Sequence, residues 1–152
     1  MQKQKIRITK EFRFEMAHAL FCHDGLCKNI HGHSYTLSVT VIGYPIENET
    51  SPDNGMIMDF SKLKAIVNEQ IITIFDHALV LHNSADENLI KELNTNFEKV
   101  HLIDYHPTSE NLLVDYVDRI KNRLPDSVNL HSLILGETAT SLAKWYAADN
   151  II

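Results

Sequence analysis

Cysteine is scarce in this chain. Cys22 and Cys27 are the two present in 152 residues, too few for a disulfide framework, and a reducing compartment is the simpler setting. Long apolar runs are missing as well, so no segment reads as a membrane span. Residues 1–10 alternate charge with Ile6 and Ile8 and carry no apolar stretch of the kind a secretory signal needs. These absences predict a cytoplasmic protein with no membrane partner. Excess positive charge is lacking too: the net charge is −6, which argues against binding to bulk nucleic acid. No repeat, low-complexity tract or linker divides the chain, so residues 1–152 read as a single domain, long enough for a real core.

What the chain does have is histidine, nine in all, and charge that is unevenly spread. Residues 1–28 hold Lys3, Lys5, Arg7, Lys10, Arg13 and Lys28 against Glu11, Glu15 and Asp24, which leaves the remainder strongly acidic. A basic first strand could assist a phosphorylated ligand, or its lysines could simply be solvated at a sheet edge.

Periodicity supplies the elements. Phe12, Phe14, Met16 and His18 share one parity over residues 6–18, the pattern of a strand with one buried face. His31, His33, Tyr35, Leu37, Val39 and Val41 do the same over residues 31–42. A loop with Pro45, Pro52 and the turn pair Asn54-Gly55 leads to a short third strand near Met56–Asp59. A helix follows over 61–75, with Leu63, Ile66, Val67, Ile71, Ile74 and Phe75 as its stripe and Asp59 or Ser61 as its cap. Ser84 and Glu87 have capping-box spacing before a shorter helix. Residues 100–105 read as a brief strand or extended connection. Pro107-Thr108 opens a last helix that buries Leu113, Tyr116, Val117, Ile120 and Leu124 and stops at Pro125. Strands over 128–137 and 140–147 close the chain. The order predicts an α+β domain: an antiparallel sheet of four to five strands with two main helices on one face.

The candidate chemistry begins with His31-Gly32-His33. Residues two apart in a strand point the same way, so both imidazoles can address one point, and Gly32 is expected to remove bulk where the rings converge. His18 ends the other alternating strand on its apolar parity. If the two strands pair, three neutral imidazoles meet and a fourth coordination position stays open, the arrangement of catalytic zinc. A closed structural Cys2His2 site from Cys22, Cys27, His31 and His33 is the competing pattern, and it would make the chain a zinc-stabilised assembly module. Against it, a domain with this much apolar periodicity needs no metal staple. Cys27, beside Lys28 and four residues before His31, is a candidate base or nucleophile; inert packing is the alternative. Asp76-His77 could act as an orienting carboxylate and a proton carrier, or stand as a solvated helix end. Glu137 follows the parity of Leu133 and Leu135, and a carboxylate aimed at a buried face needs strong donors, either an arginine or the paired N–H groups of an aminopyrimidine.

Taken together, Phe14-Glu15-Met16-Ala17-His18 and Cys27-Lys28-Asn29-Ile30-His31-Gly32-His33-Ser34-Tyr35 resemble the signature of the 6-pyruvoyl-tetrahydropterin and 6-carboxytetrahydropterin synthases. Met58-Asp59-Phe60, Asp76-His77, Pro107-Thr108-Ser109-Glu110-Asn111 and Gly136-Glu137-Thr138 follow in the family's order. The resemblance implies a tunnelling fold that assembles through trimers into a homohexamer. It implies Zn2+ on His18, His31 and His33, Cys27 as catalytic base, and Asp76 with His77 as a relay supplied across a subunit interface. Glu137 would anchor the pterin ring, and Glu110 matches a position near that pocket. The implied substrate is 7,8-dihydroneopterin triphosphate. The wording is closer to the bacterial branch that forms 6-carboxytetrahydropterin and acetaldehyde, on the way to queuosine and other deazapurines, than to the branch that forms 6-pyruvoyl-tetrahydropterin. A folate-directed branch carries a glutamate near the cysteine position, and Cys27 argues against it. The chain departs from compact bacterial members mainly between Leu81 and Tyr105, where 84–97 is expected to add a helix.

Overall fold

The computed structural model describes residues 3–150, so the extreme ends of the expected 1–152 domain lie outside the described residues. Strands β1 (Ile6–His18) and β2 (His31–Gly43) form a long antiparallel hairpin. Their register sets His18 opposite His31, Met16 opposite His33 and Phe14 opposite Tyr35. The two apolar parities read from the sequence therefore share one face. β5 (Val128–Gly136) pairs antiparallel with β2, and β6 (Leu142–Tyr146) with β5.

The sheet is larger than expected and not wholly antiparallel. β3 (Ala78–His82) adds parallel to β1, and β4 (Val100–Ile103) adds parallel to β3, giving six strands in the order β4-β3-β1-β2-β5-β6. A parallel neighbour requires a crossover, and α3 (Glu87–Asn96) provides it between β3 and β4. No strand forms at 56–59. Backbone bonds from Ile46 N to Met56 O and from Gly55 N to Ile46 O hold that segment as a loop, with Gly55 at φ 82 in the expected turn. The α3 cap also differs. Asp86 Oδ1 accepts from Leu89 N, while Ser84 bonds the His82 ring instead.

The core lies on the hairpin's apolar face. Residues 60–75 run helically as α1 (Phe60–Val67), a π-helical turn (Asn68–Ile72) and α2 (Thr73–Phe75), with Asp59 capping through Ser61 N. Leu63, Val67, Ile71 and Phe75 are fully buried along it. α4 (Ser109–Lys121), capped by Thr108, buries Leu112, Leu113, Tyr116, Val117 and Ile120 beside them. At about 1.5–3 kcal/mol per fully buried large apolar side chain, this layer is the main stabilising feature. Phe14 stacks on Tyr35 at 5.3 Å, and Tyr116 closes edge-on over Phe75 at 4.9 Å. The short helix α3 is not part of this layer. It packs through Leu89 and Leu93 on Leu79, Leu81, Ala19 and Val100, a separate cluster built from the alternate parity of β3. Two main helices thus cover one face, and the added helix covers part of the other.

Candidate metal centre and active site

The hairpin register brings His18, His31 and His33 together at the end of the core face, with one ligand atom from each within 4.8 Å of the others. Neither Cys22 nor Cys27 belongs to this cluster, which removes the geometric basis for a Cys2His2 site among the described residues. Ring orientation is fixed from behind. His18 Nδ1 lies 2.7 Å from the Pro107 carbonyl, and His31 Nδ1 lies 2.7 Å from the Asn29 carbonyl. A carbonyl can only accept, so both Nδ1 atoms carry the proton and both Nε2 atoms present lone pairs. Those two Nε2 atoms stand 3.1 Å apart.

Two lone pairs at that distance repel unless a Lewis acid or a proton sits between them. Nitrogens bound tetrahedrally to zinc at about 2.0–2.1 Å stand about 3.3 Å from each other. Three imidazoles, two of them oriented by main-chain acceptors, are the donor set such an ion takes. Burial pushes the His18 pKa down, and the neighbouring His31 and His33 rings add to this against the Pro107 carbonyl and Glu137. His18 is 1% exposed, whereas His31 and His33 are partly open, so the cluster is closed behind and accessible in front.

Glu137 stands at its rim, just beyond the end of β5. Its Oε1 lies 3.5 Å from His18 Nε2 and 3.7 Å from His33 Nε2, and it accepts from the Tyr35 hydroxyl at 3.2 Å. Burial, followed by the Glu137 charge and this bond, raises the Tyr35 pKa far above its usual value, so the phenol remains a donor. At the neighbouring Gly136 a Cβ would meet Thr36 Oγ1 at 2.5 Å, on the face opposite Tyr35. Tyr35 was overlooked as a site residue in the sequence, although it shares the parity of His33 two residues on. The Pro107 and Asn29 carbonyls left no signal there.

Gly32 does not separate the rings. Strand alternation turns its missing Cβ to the opposite face, 3.4 Å from the Met16 carbonyl. Cys27 occupies a 3-10 turn (Leu26–Lys28), partly buried, and its carbonyl accepts from Leu20 N. Glu110 is exposed in the first turn of α4, three residues after the Pro107 carbonyl that holds His18.

Asp76 and His77 meet each other but not the ring cluster. Asp76 Oδ1 lies 3.0 Å from His77 Nδ1 and accepts from Glu15 N at 2.9 Å. Desolvation opposes ionisation of Asp76, yet the Glu15 amide and the His77 ring together hold its carboxyl below the usual range. His77 has φ 59, a left-handed conformation uncommon for a side chain of this size. It opens onto a groove of about 880 Å³ whose lining includes Glu15, Ala17, Gly32 and Ser34 as well as Met16 and His33. Glu15, Ala17, Gly32 and Ser34 have the parity opposite to His18, His31 and His33, so the groove side of His77 and the core face of the cluster are opposite faces of the hairpin.

Comparison with known proteins gives one consistent set. The family model described as 6-pyruvoyl tetrahydropterin synthase matches residues 7–148. A Haemophilus influenzae protein named 6-carboxy-5,6,7,8-tetrahydropterin synthase is 33% identical, the match covering 91% of this chain and 97% of that one. An Aquifex aeolicus protein of the same name is 29% identical over 93% and 98%. A Pyrococcus furiosus dihydroneopterin monophosphate aldolase is 30% identical over 88% and 90%. Among solved structures, the Caenorhabditis elegans 6-pyruvoyl tetrahydropterin synthase superposes with a TM-score of 0.67 at 21% identity, covering 97% of this chain and 99% of that one. An uncharacterized Wolinella succinogenes protein reaches 0.74 at 19% identity, over 95% and 99%.

Proposed function

The chain belongs to the 6-pyruvoyl tetrahydropterin synthase family, and on that premise we propose that it is a zinc-dependent lyase of the 6-carboxytetrahydropterin synthase type. Its substrate is 7,8-dihydroneopterin triphosphate. With one water it yields 6-carboxy-5,6,7,8-tetrahydropterin, acetaldehyde and triphosphate, a product that serves queuosine and deazapurine synthesis in the cytoplasm. The observation that carries the reading is the pair of converging Nε2 lone pairs of His18 and His31, with His33 beside them and Glu137 at the rim. The names of curated relatives that align over most of the chain favour the 6-carboxy product.

Bound zinc would act as a Lewis acid that acidifies the hydroxyls and adjoining C–H bonds of the substrate side chain. Glu137, with its second oxygen uncommitted, takes the two N–H groups of the aminopyrimidine edge and sets the orientation of the ring. Glu110 is assigned to the same pocket by family resemblance. Cys27 removes a proton as a thiolate, and His77, kept in register by Asp76, returns one at another position of the side chain. The placement of Asp76–His77 on the opposite face supports delivery of this pair to the metal cluster of a neighbouring subunit, and hence a closed oligomer, a homohexamer by family resemblance. Product analysis after incubation with dihydroneopterin triphosphate tests the reading. Acetaldehyde together with the 6-carboxy compound is expected. The 6-pyruvoyl compound alone would assign the chain to the other branch, and no turnover by zinc-loaded protein would leave only a zinc-stabilised assembly module.

A further inference from the structure

Between α3 and β4 lies Lys99, whose ammonium reaches the main chain rather than a carboxylate. Lys99 Nζ donates to the Thr73 carbonyl at 2.8 Å and to the Asp76 carbonyl at 2.5 Å. Among the described residues no acidic side chain pairs with it. These carbonyls flank the C-terminal end of α2, where helix oxygens lack intrahelical donors and a cation is favoured. The backbone of Lys99 is tied to the same place, because its carbonyl accepts from Leu79 N at 2.9 Å at the start of β3. Between those anchors lies His77, at φ 59, with its amide on the Glu15 carbonyl.

We propose that Lys99 is a positioning residue that fixes the end of α2 so that Asp76 and His77 hold their geometry for proton transfer. The proposal rests on His77 being the proton carrier named above. Two residues meet at this one turn: Lys99 fastens it from the segment just before β4, and Glu15 fastens it from β1 through both main-chain atoms. Ser34 from β2 in turn bonds the Glu15 carboxylate, 2.8 Å to Oε2. A left-handed backbone is uncommon for a residue other than glycine, and these anchors favour it at His77. Loss of Lys99 would release the carbonyl side while leaving the metal cluster on the other face untouched. Lys99, between the added helix and β4, thereby contributes to the reaction without touching substrate.

The test is a double-mutant cycle on the zinc-loaded oligomer, using Lys99→Met, Lys99→Arg, His77→Ala and the Lys99→Met/His77→Ala pair. Lys99→Met should lower kcat about tenfold, with KM changed by less than about twofold, since a small misalignment costs chiefly in the chemical step. Zinc content should be unchanged, and Lys99→Arg should recover at least about half of kcat. In the His77→Ala background the same Lys99→Met change should lower the residual rate by less than about twofold. Equal losses in both backgrounds, or wild-type kcat in Lys99→Met, overturn the proposal. Should Lys99→Met fail to fold, Lys99→Gln enters the same cycle. Amide hydrogen exchange gives a reading independent of turnover: Lys99→Met should speed exchange at His77 and Glu15 by at least about tenfold, and unchanged exchange overturns the proposal. If the wild type converts no pterin, the functional reading fails, while the exchange result still decides whether Lys99 holds the pair.

Discussion

On the covered face of the β1–β2 hairpin, three imidazoles are placed by regular strands and two of them are locked by main-chain carbonyls. On the open face a single imidazole is placed by a helix end, a left-handed backbone and a lysine from the connection that precedes β4. The first arrangement is stiff because each ring inherits the rigidity of a thirteen-residue strand. The second depends on several separate contacts, each of which can be lost alone. Binding an ion calls for the former. Moving a proton can use the latter.

The strongest way to break this contrast is to cross the faces. His18→Ala and His31→Ala should each lose stoichiometric zinc by metal analysis and all detectable turnover, whereas His77→Ala should keep its zinc. Co-assembly of His31→Ala with His77→Ala chains should restore part of the activity if the faces meet between subunits. Loss of zinc from His77→Ala would show that they are not separable.

Next in size, Cys27→Ala should retain zinc and oligomer while turnover falls about a hundredfold to ten-thousandfold, the usual cost of removing a general base. Cys22→Ala, at an exposed position, should be nearly silent. Zinc loss from Cys27→Ala would return the cysteine to the metal shell.

A smaller effect is expected at Asp76→Asn: full zinc, with turnover down about tenfold to a hundredfold by the same reasoning. Because the folded Asp76 carboxyl lies below its ordinary value, its contribution to stability is present above the unfolded carboxylate pKa of about 3.9. That contribution is lost as pH falls through the lower folded value. Urea unfolding should therefore show a wild-type advantage over Asp76→Asn near neutrality that narrows below about pH 4. A gap that widens in acid would contradict the sign.

The smallest effect belongs to Gly32→Ala. Its added methyl would make an ordinary contact on the open face, so zinc should stay stoichiometric and stability should move by less than about 1 kcal/mol. Zinc loss there would mean that the glycine does make room for the rings.

The same contrast explains what could be read from residues alone. The hairpin faces, the ring cluster and the two main helices announce themselves because period-two and period-3.6 patterns are local. β3 and β4 do not. Ala78–His82 is buried on both sides, by Ala78 and Val80 in one cluster and Leu81 in another, so alternation is erased. The expected strand at 56–59 has apolar residues, but its backbone pairing stops at the turn bonds of Gly55 and Met56 with Ile46. Glu137 was visible through its parity, yet its tie to Tyr35 spans 102 positions. The Lys99 contacts span 26 and 23 positions and follow no pattern at all.

The π-helical turn at Asn68–Ile72 sets how this architecture tolerates change in length. Leu63, Val67, Ile71 and Phe75 recur every four residues and are all fully buried, whereas an ideal helix repeats every 3.6 and would carry a strict four-residue series steadily off its face. The wider turn absorbs part of that drift. Five residues at the π spacing of about 4.4 per turn sweep nearly the same angle as four at 3.6. Deleting one residue from 68–72 would therefore let the segment rewind as uninterrupted α-helix with Phe75 still facing the core and Asp76 still near Glu15. A further inserted residue finds no such slack, and everything beyond it would swing by about 100°. The direction in which His77 points is thus stored as a residue count with one spare residue, held in the wide turn.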